Sequence, residues 1–127
     1  MSADVRVLVV DDQRPFRVAA AAVLARTPGF VLTAEAASGE EAVRVAGESH
    51  PDLVLMDVRL PGISGIDAAG LIVAADPRTV VLLCSTYHRE DLPFDLDAPG
   101  VAGYLHKEEL RPPVLRELWE HARSLGP

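Results

Sequence analysis

Five polar residues sit where apolar runs stop. Asp11 and Asp12 end "VRVLVVDD", Asp57 ends "LVLMD", Ser85 follows "VVLLC", and Lys107 follows "GYLH". A carboxylate resists burial, so an acid at the end of an apolar run marks a chain leaving the core. Three carboxylates in one crevice would raise one another's pKa unless a cation neutralised them. A hard divalent ion such as Mg²⁺ suits such a set, because it takes one or two carboxylates, keeps some waters and leaves room for a phosphate oxygen. Adding a hydroxyl and an ammonium completes an inventory fit for phosphoryl chemistry. The metal and the lysine offset charge on the transferred group, and a carboxylate can be the nucleophile.

Whether the five meet depends on the elements that carry them. Residues 5–10, 30–36, 52–57, 79–84 and 102–106 are short and rich in Val and Leu. Three are nearly continuous in apolar residues, as in parallel strands covered on both faces. Helical candidates lie between them. Pro15 suits a first helical position, and Phe16, Ala20, Val23 and Leu24 recur at helical spacing. Ser38 with Glu41 forms a capping box, and Ser64 with Asp67 repeats it more weakly. The closing segment places Val114, Leu118, Ala122 and Leu125 on one stripe, flanked by Leu115 and Trp119. Strand–helix alternation predicts a parallel sheet with right-handed crossovers. Ligands of such sheets bind beyond the carboxyl ends of the strands, where the strand order reverses. If strand one lies between strands two and three, all three acids crowd that point.

The segment between strands four and five is the irregular one. "HREDLPFDLDAPGVAG" holds Pro93 and Pro99, so the helix there is predicted to be short or distorted; Pro93 could equally open an ordinary short helix.

Bulk properties narrow the classes. A chain of 127 residues favours one domain, here residues 1–127. A net charge of −7, from 12 Lys and Arg against 19 Asp and Glu, argues against nonspecific binding to nucleic-acid phosphate. The lone Cys84 permits no internal disulfide and reads as a small buried apolar residue, which fits a reducing, cytoplasmic setting. No signal-peptide layout or membrane-length apolar run is present.

"LVVDDQ", "LVLMDVRLPGISGID", "VVLLCST" and "GYLHKEEL" follow one another across essentially the whole chain. Together they resemble the receiver domains of bacterial two-component response regulators. "HKEEL" is closest in kind to receivers whose output is a helix-turn-helix domain, which this sequence does not contain. The resemblance implies a flavodoxin-like (βα)5 doubly wound sheet of order 2-1-3-4-5. It implies that Asp57 accepts a phosphoryl group from a sensor histidine kinase in a Mg²⁺-dependent reaction. Asp12, Asp57 and the backbone carbonyl of Arg59 would hold the metal, with Asp11 supporting them directly or through water. Ser85, or alternatively Thr86, would bond a phosphoryl oxygen, Lys107 another, and Tyr104 would change rotamer as the hydroxyl moves inward. Arg59 would influence water access and hence dephosphorylation.

The helix between strands four and five, strand five and the closing helix form the family's usual signalling face, a candidate homodimer surface. Output would pass either to an unknown downstream protein, as from a stand-alone receiver, or through an output domain that these residues do not include, with no nucleic acid or membrane bound by this domain itself. The sequence departs from the family where Glu108 follows Lys107 in place of a cis proline. A degenerate receiver acting as a constitutive interaction module is the alternative. A haloacid-dehalogenase type phosphatase needs a second acid two residues after the nucleophile on strand one, and Gln13 follows Asp11 there. A flavodoxin-like electron carrier fits worse still, because its first loop needs hydroxyls and amides where this chain has acids.

Overall fold

The structure, a computed structural model, describes residues 4–92 and 96–125. Five strands, β1 (Val5–Val10), β2 (Phe30–Ala36), β3 (Leu53–Asp57), β4 (Val80–Ser85) and β5 (Gly103–His106), form one sheet. Its order is β2-β1-β3-β4-β5 and every neighbouring pair is parallel. The helices are α1 (Arg14–Ala25), α2 (Gly39–Ser49), α3 (Gly65–Ala75) and α4 (Pro112–Ser124). This is the flavodoxin-like doubly wound architecture.

The continuous apolar strands have the predicted cause. Alternate residues serve opposite faces of the sheet. Leu8, Val10, Val54, Met56, Val81 and Leu83 pack with Ala42, Ala46, Ala68 and Ile72 of α2 and α3. Val7, Val9, Leu53, Leu55, Leu82 and Cys84 pack with Ala20 and Leu24 of α1 and with Leu115 and Trp119 of α4. Both faces of the central strands β3 and β4 and of the carboxyl half of β1 are therefore dry. Cys84 is fully buried, and burial pushes its thiol up to about 12.

Local signals act as read. Ser38 Oγ accepts the Glu41 N–H at 3.1 Å while Glu41 Oε1 accepts the Ala37 N–H, and Ser64 Oγ accepts the Asp67 N–H. Two details differ. Helix α1 begins one residue early, at Arg14, so Pro15 takes its second position, where a missing N–H is equally harmless. The buried stripe of α4 is Leu115, Trp119 and Ala122; Val114 and Leu118 are half-buried and Leu125 is 66 % exposed. Trp119 sets this rotation by meeting Phe30 edge to face at 6.4 Å between ring centres.

Between β4 and β5 the described residues hold no α-helix. A single 3₁₀ turn, Arg89–Asp91, is followed by turns through residues 96–100. The expectation for Pro93 falls outside the described residues. Gly100, at φ +90°, lies against α3, where an added Cβ would stand 2.7 Å from the Ala69 carbonyl oxygen. The chain thus closes against α3 through backbone. No helix among the described residues is long and apolar enough to cross a membrane.

Candidate functional site

The carboxyl ends of β1, β3, β4 and β5 open into one crevice. Asp12, Asp57, Arg59, Ser85, Thr86 and Lys107 line it, together with Gln13, Pro15, Phe16 and Tyr87. Asp11 lies beneath this wall, fully buried.

Asp11 continues β1, its N–H reaching the Ala36 carbonyl of β2 at 3.0 Å. Its side chain is held on both oxygens. Oδ1 accepts the Gln13 N–H at 2.8 Å, and Oδ2 pairs with Lys107 Nζ at 2.5 Å. Arg17 donates to the Asp11 carbonyl at 2.7 Å and is held in turn by Glu35 at 3.1 Å. A buried acid needs such partners to offset the cost of its desolvation. Asp12, the next residue, is exposed.

Asp57 is the last residue of β3 and 8 % exposed. Its Oδ1 is 3.3 Å from Lys107 Nζ. Burial raises its pKa from 3.8 to about 6; the charge of Asp11, and to a lesser degree that of Asp12, adds to the rise, and Lys107 only partly offsets it. For Lys107, burial pulls the pKa down, but its bond to Asp11 and the charge of Asp57 outweigh that and leave it raised. One ammonium therefore serves two acids, and it serves Asp11 better. The backbone behind Asp57 is equally constrained. Gly65, the first residue of α3, packs so closely on the Asp57 carbonyl that no Cβ fits there. Glu40 of α2 accepts the Ile63 N–H at 3.1 Å, fixing the loop that follows Asp57.

Ser85 ends β4 and is buried, its Oγ accepting the Tyr87 N–H at 3.1 Å; Thr86 is exposed. Tyr104 does not reach the crevice. It lies buried behind it, donating from its hydroxyl to the Tyr87 carbonyl and lying 3.4 Å from the Ser85 carbonyl. Arg59 crosses the mouth of the crevice. Its Nη2 donates to Tyr87 Oη at 2.5 Å, and its guanidinium lies 5.2 Å from the centre of that ring.

One carboxylate oxygen from each of Asp11, Asp12 and Asp57 lies within 4.8 Å of the other two. Three carboxylates make a hard-oxygen donor set that suits a divalent ion such as Mg²⁺, and Arg59 stands in the same wall.

Tyr87 and Phe16 are the site residues that the sequence did not single out. Tyr87 pairs with a residue 28 positions earlier, and Phe16 lies 4.6 Å, ring centre to Nζ, beneath Lys107. Neither contact leaves a local pattern. That Tyr87 stands two residues beyond the Ser85 hydroxyl was the one available hint.

A doubly wound parallel sheet whose central strands end in acids, with a lysine from beyond the edge strand reaching across them, is an arrangement suited to phosphoryl chemistry. Residues 7–119 match the family model for the response regulator receiver domain, and the chain belongs to that family. Over 127 aligned residues it is 32 % identical to the response regulator GacA of Pseudomonas aeruginosa, covering 97 % of this chain and 59 % of that protein. It is 35 % identical over 105 residues to the transcriptional regulatory protein LiaR of Bacillus subtilis, covering 81 % of this chain and 49 % of LiaR. The chain thus spans about half the length of the curated relatives it matches. Among solved structures it is similar to the response regulator domain of Thermotoga maritima CheB, with a TM-score of 0.82, 26 % identity and coverage of 94 % and 96 % of the two chains. A LuxR-family two-component response regulator from Aurantimonas gives a TM-score of 0.79 at 31 % identity, covering 91 % of this chain and 81 % of that one.

Proposed function

We propose that the chain is a phosphorylation switch with Asp57 as the acceptor. A carboxylate oxygen of Asp57 attacks the phosphorus of a phosphohistidine on a sensor histidine kinase. The P–O bond forms as the P–N bond breaks, and the imidazole leaves with a proton. What supports this reading is the convergence of four strand ends: Asp12, Asp57, Ser85 and Lys107 line one crevice from β1, β3, β4 and β5, with Asp11 buried beneath it and paired to Lys107. A pKa of about 6 leaves Asp57 mostly ionised at neutral pH, as a nucleophile must be.

Asp11, Asp12 and Asp57, with the Arg59 carbonyl, would hold Mg²⁺ in this reading. The ion would supply positive charge against the phosphoryl oxygens and the three carboxylates. Lys107, already 3.3 Å from Asp57, pairs with a phosphoryl oxygen when its hold on Asp11 relaxes. Ser85 gives up the Tyr87 N–H and turns its hydroxyl to the phosphoryl group. It is favoured over Thr86 because it is buried at the strand end while Thr86 faces solvent. Tyr104 is tied by its hydroxyl to the same β4 loop, so movement there changes the surface of β5 and α4. That face would carry the signal to a downstream protein or to a second copy of the chain. Arg59 and Tyr87 limit the entry of water, which sets the rate of self-dephosphorylation. The intact set of acids, hydroxyl and lysine argues against a degenerate module. A cytoplasmic setting and a single receiver domain over residues 1–127 complete the reading.

The test is incubation with Mg²⁺ and acetyl phosphate, or with a phosphorylated kinase domain, followed by intact mass. A single phosphoryl adduct that Asp57→Asn and removal of Mg²⁺ both abolish is expected. An adduct that persists in Asp57→Asn contradicts the proposal.

A further inference from the structure

Lys107 leaves β5 on a short 3₁₀ turn, Lys107–Glu109, and must cross to the β1 end to reach Asp11. A lysine side chain has four rotatable bonds and little shape of its own, so its ammonium stays in place only where its surroundings fix it. Two of those surroundings are the acids, Asp11 at 2.5 Å and Asp57 at 3.3 Å. The third is not polar. Phe16, in the first turn of α1, presents its ring to the ammonium with Nζ 4.6 Å from the ring centre. The lysine side chain is only 15 % exposed. Partial exclusion of water strengthens both the acid pairs and the attraction of an ammonium to a ring face.

Phe16 is also placed as an active-site wall and not as an interior residue. It lines the crevice on one side and packs from its periphery against the core on the α1 and α4 face of the sheet. Its backbone is pinned: Gln13 caps α1, with the Phe16 and Arg17 N–H groups reaching the Gln13 carbonyl at 3.1 and 3.3 Å. Gln13 itself donates its N–H to Asp11. The ring is therefore fixed relative to the acid that Lys107 grips hardest.

We propose that Phe16 is a positioning residue for Lys107, its ring face holding the ammonium between Asp11 and Asp57 so that it stands ready for a phosphoryl oxygen on Asp57. The inference rests on the reading of Asp57 as phosphoacceptor. It adds a residue that acts through the lysine and does not touch the transferred group. An apolar side chain without a ring would fill the same wall but would leave the lysine freer to follow Asp11 or solvent.

Two measurements test it on the whole chain. In the first, NMR of the metal-free protein reads the Lys107 ε protons. They shift upfield in the wild type through the ring current of Phe16, and the shift is lost in Phe16→Leu, with Phe16→Tyr keeping it. The second follows the initial rate of phosphorylation by acetyl phosphate and Mg²⁺ in the wild type, Phe16→Leu, Phe16→Tyr, Lys107→Ala and the Phe16→Leu/Lys107→Ala double variant. Phe16→Leu slows the reaction about three- to tenfold, the range of a partly desolvated cation–ring contact. Phe16→Tyr recovers most of the rate, and in the Lys107→Ala background Phe16→Leu costs nothing further. An unshifted Lys107 resonance overturns the contact. Losses that multiply in the double variant overturn the positioning role, because Phe16 would then act independently of the lysine. A wild-type chain that takes no phosphoryl group from any donor overturns the Asp57 reading and the positioning role with it, and leaves the ring-current result to decide the contact alone.

Discussion

Asp57→Asn stabilises the metal-free protein at neutral pH, although it removes the residue at the centre of the site. The folded protein raises the pKa of Asp57 from 3.8 to about 6. A carboxyl group with a raised folded pKa binds its proton more tightly in the native state. Its contribution to stability is complete below the unfolded pKa of 3.8 and is lost as pH rises through about 6. A shift of about two units corresponds to at most about 3 kcal/mol at pH 7.5. Asp57 opens onto solvent in the crevice, and screening reduces that to about 1–3 kcal/mol. Asparagine has the shape of the acid without its charge, so the variant avoids the penalty. For a domain of this size the gain is a rise in Tm of about 3–10 °C. Thermal or urea unfolding in EDTA at pH 7.5 and at pH 4 measures it. The stabilisation should be present at pH 7.5 and nearly absent at pH 4, where wild-type Asp57 is protonated. Mg²⁺ should then raise the Tm of the wild type more than that of the variant, because it binds the native acids. An Asp57→Asn protein no more stable than wild type at pH 7.5, or equally stabilised at both pH values, refutes the reasoning.

Lys107→Ala leaves Asp11 buried without its ion pair and should destabilise the metal-free protein by about 2–4 kcal/mol in urea titrations, with Mg²⁺ restoring part of the loss. Gly65→Ala forces a Cβ onto the Asp57 carbonyl at the start of α3, and should lower stability by more than about 2 kcal/mol or abolish folding, as circular dichroism would register. Tyr87→Phe and Arg59→Ala each break the clasp over the crevice, so the phosphorylated protein should lose its label several-fold faster in a mass-resolved decay, with Tm nearly unchanged. Ser85→Ala should impair the response to phosphorylation more than Thr86→Ala does, as read by chemical-shift changes in β5 and α4 on adding beryllofluoride.

Where sequence and structure agree, the physics is local or periodic. Val54, Met56, Leu53 and Leu55 alternate between two helical layers, which is why a run with no polar residue could be read as a central parallel strand. Ser38 and Glu41 cap α2 through neighbours three residues apart. The convergence of Asp11, Asp12 and Asp57 followed from topology, since the carboxyl ends of adjacent parallel strands must lie on one edge. What the sequence did not disclose depends on contacts between distant segments. The rotation of α4 departs from the helical stripe because Leu125 lies beyond the helix's last residue and is exposed, while Trp119 packs against Phe30, 89 positions away in the chain. Arg59 with Tyr87 and Lys107 with Phe16 are likewise pairs that no spacing rule connects. Between β4 and β5 the described residues hold a single 3₁₀ turn and no α-helix, and no local pattern signals that Gly100 closes the segment directly against the backbone of α3.

The most direct measurement of the central claim is reductive trapping of the phosphorylated chain. Borohydride cleaves an aspartyl phosphate and leaves homoserine at the labelled position, which peptide mass mapping locates. Homoserine at position 57, dependent on Mg²⁺ and on the phosphodonor, is the predicted result. Reduction at position 11 or 12, or a phosphoryl adduct that resists borohydride, would contradict the account.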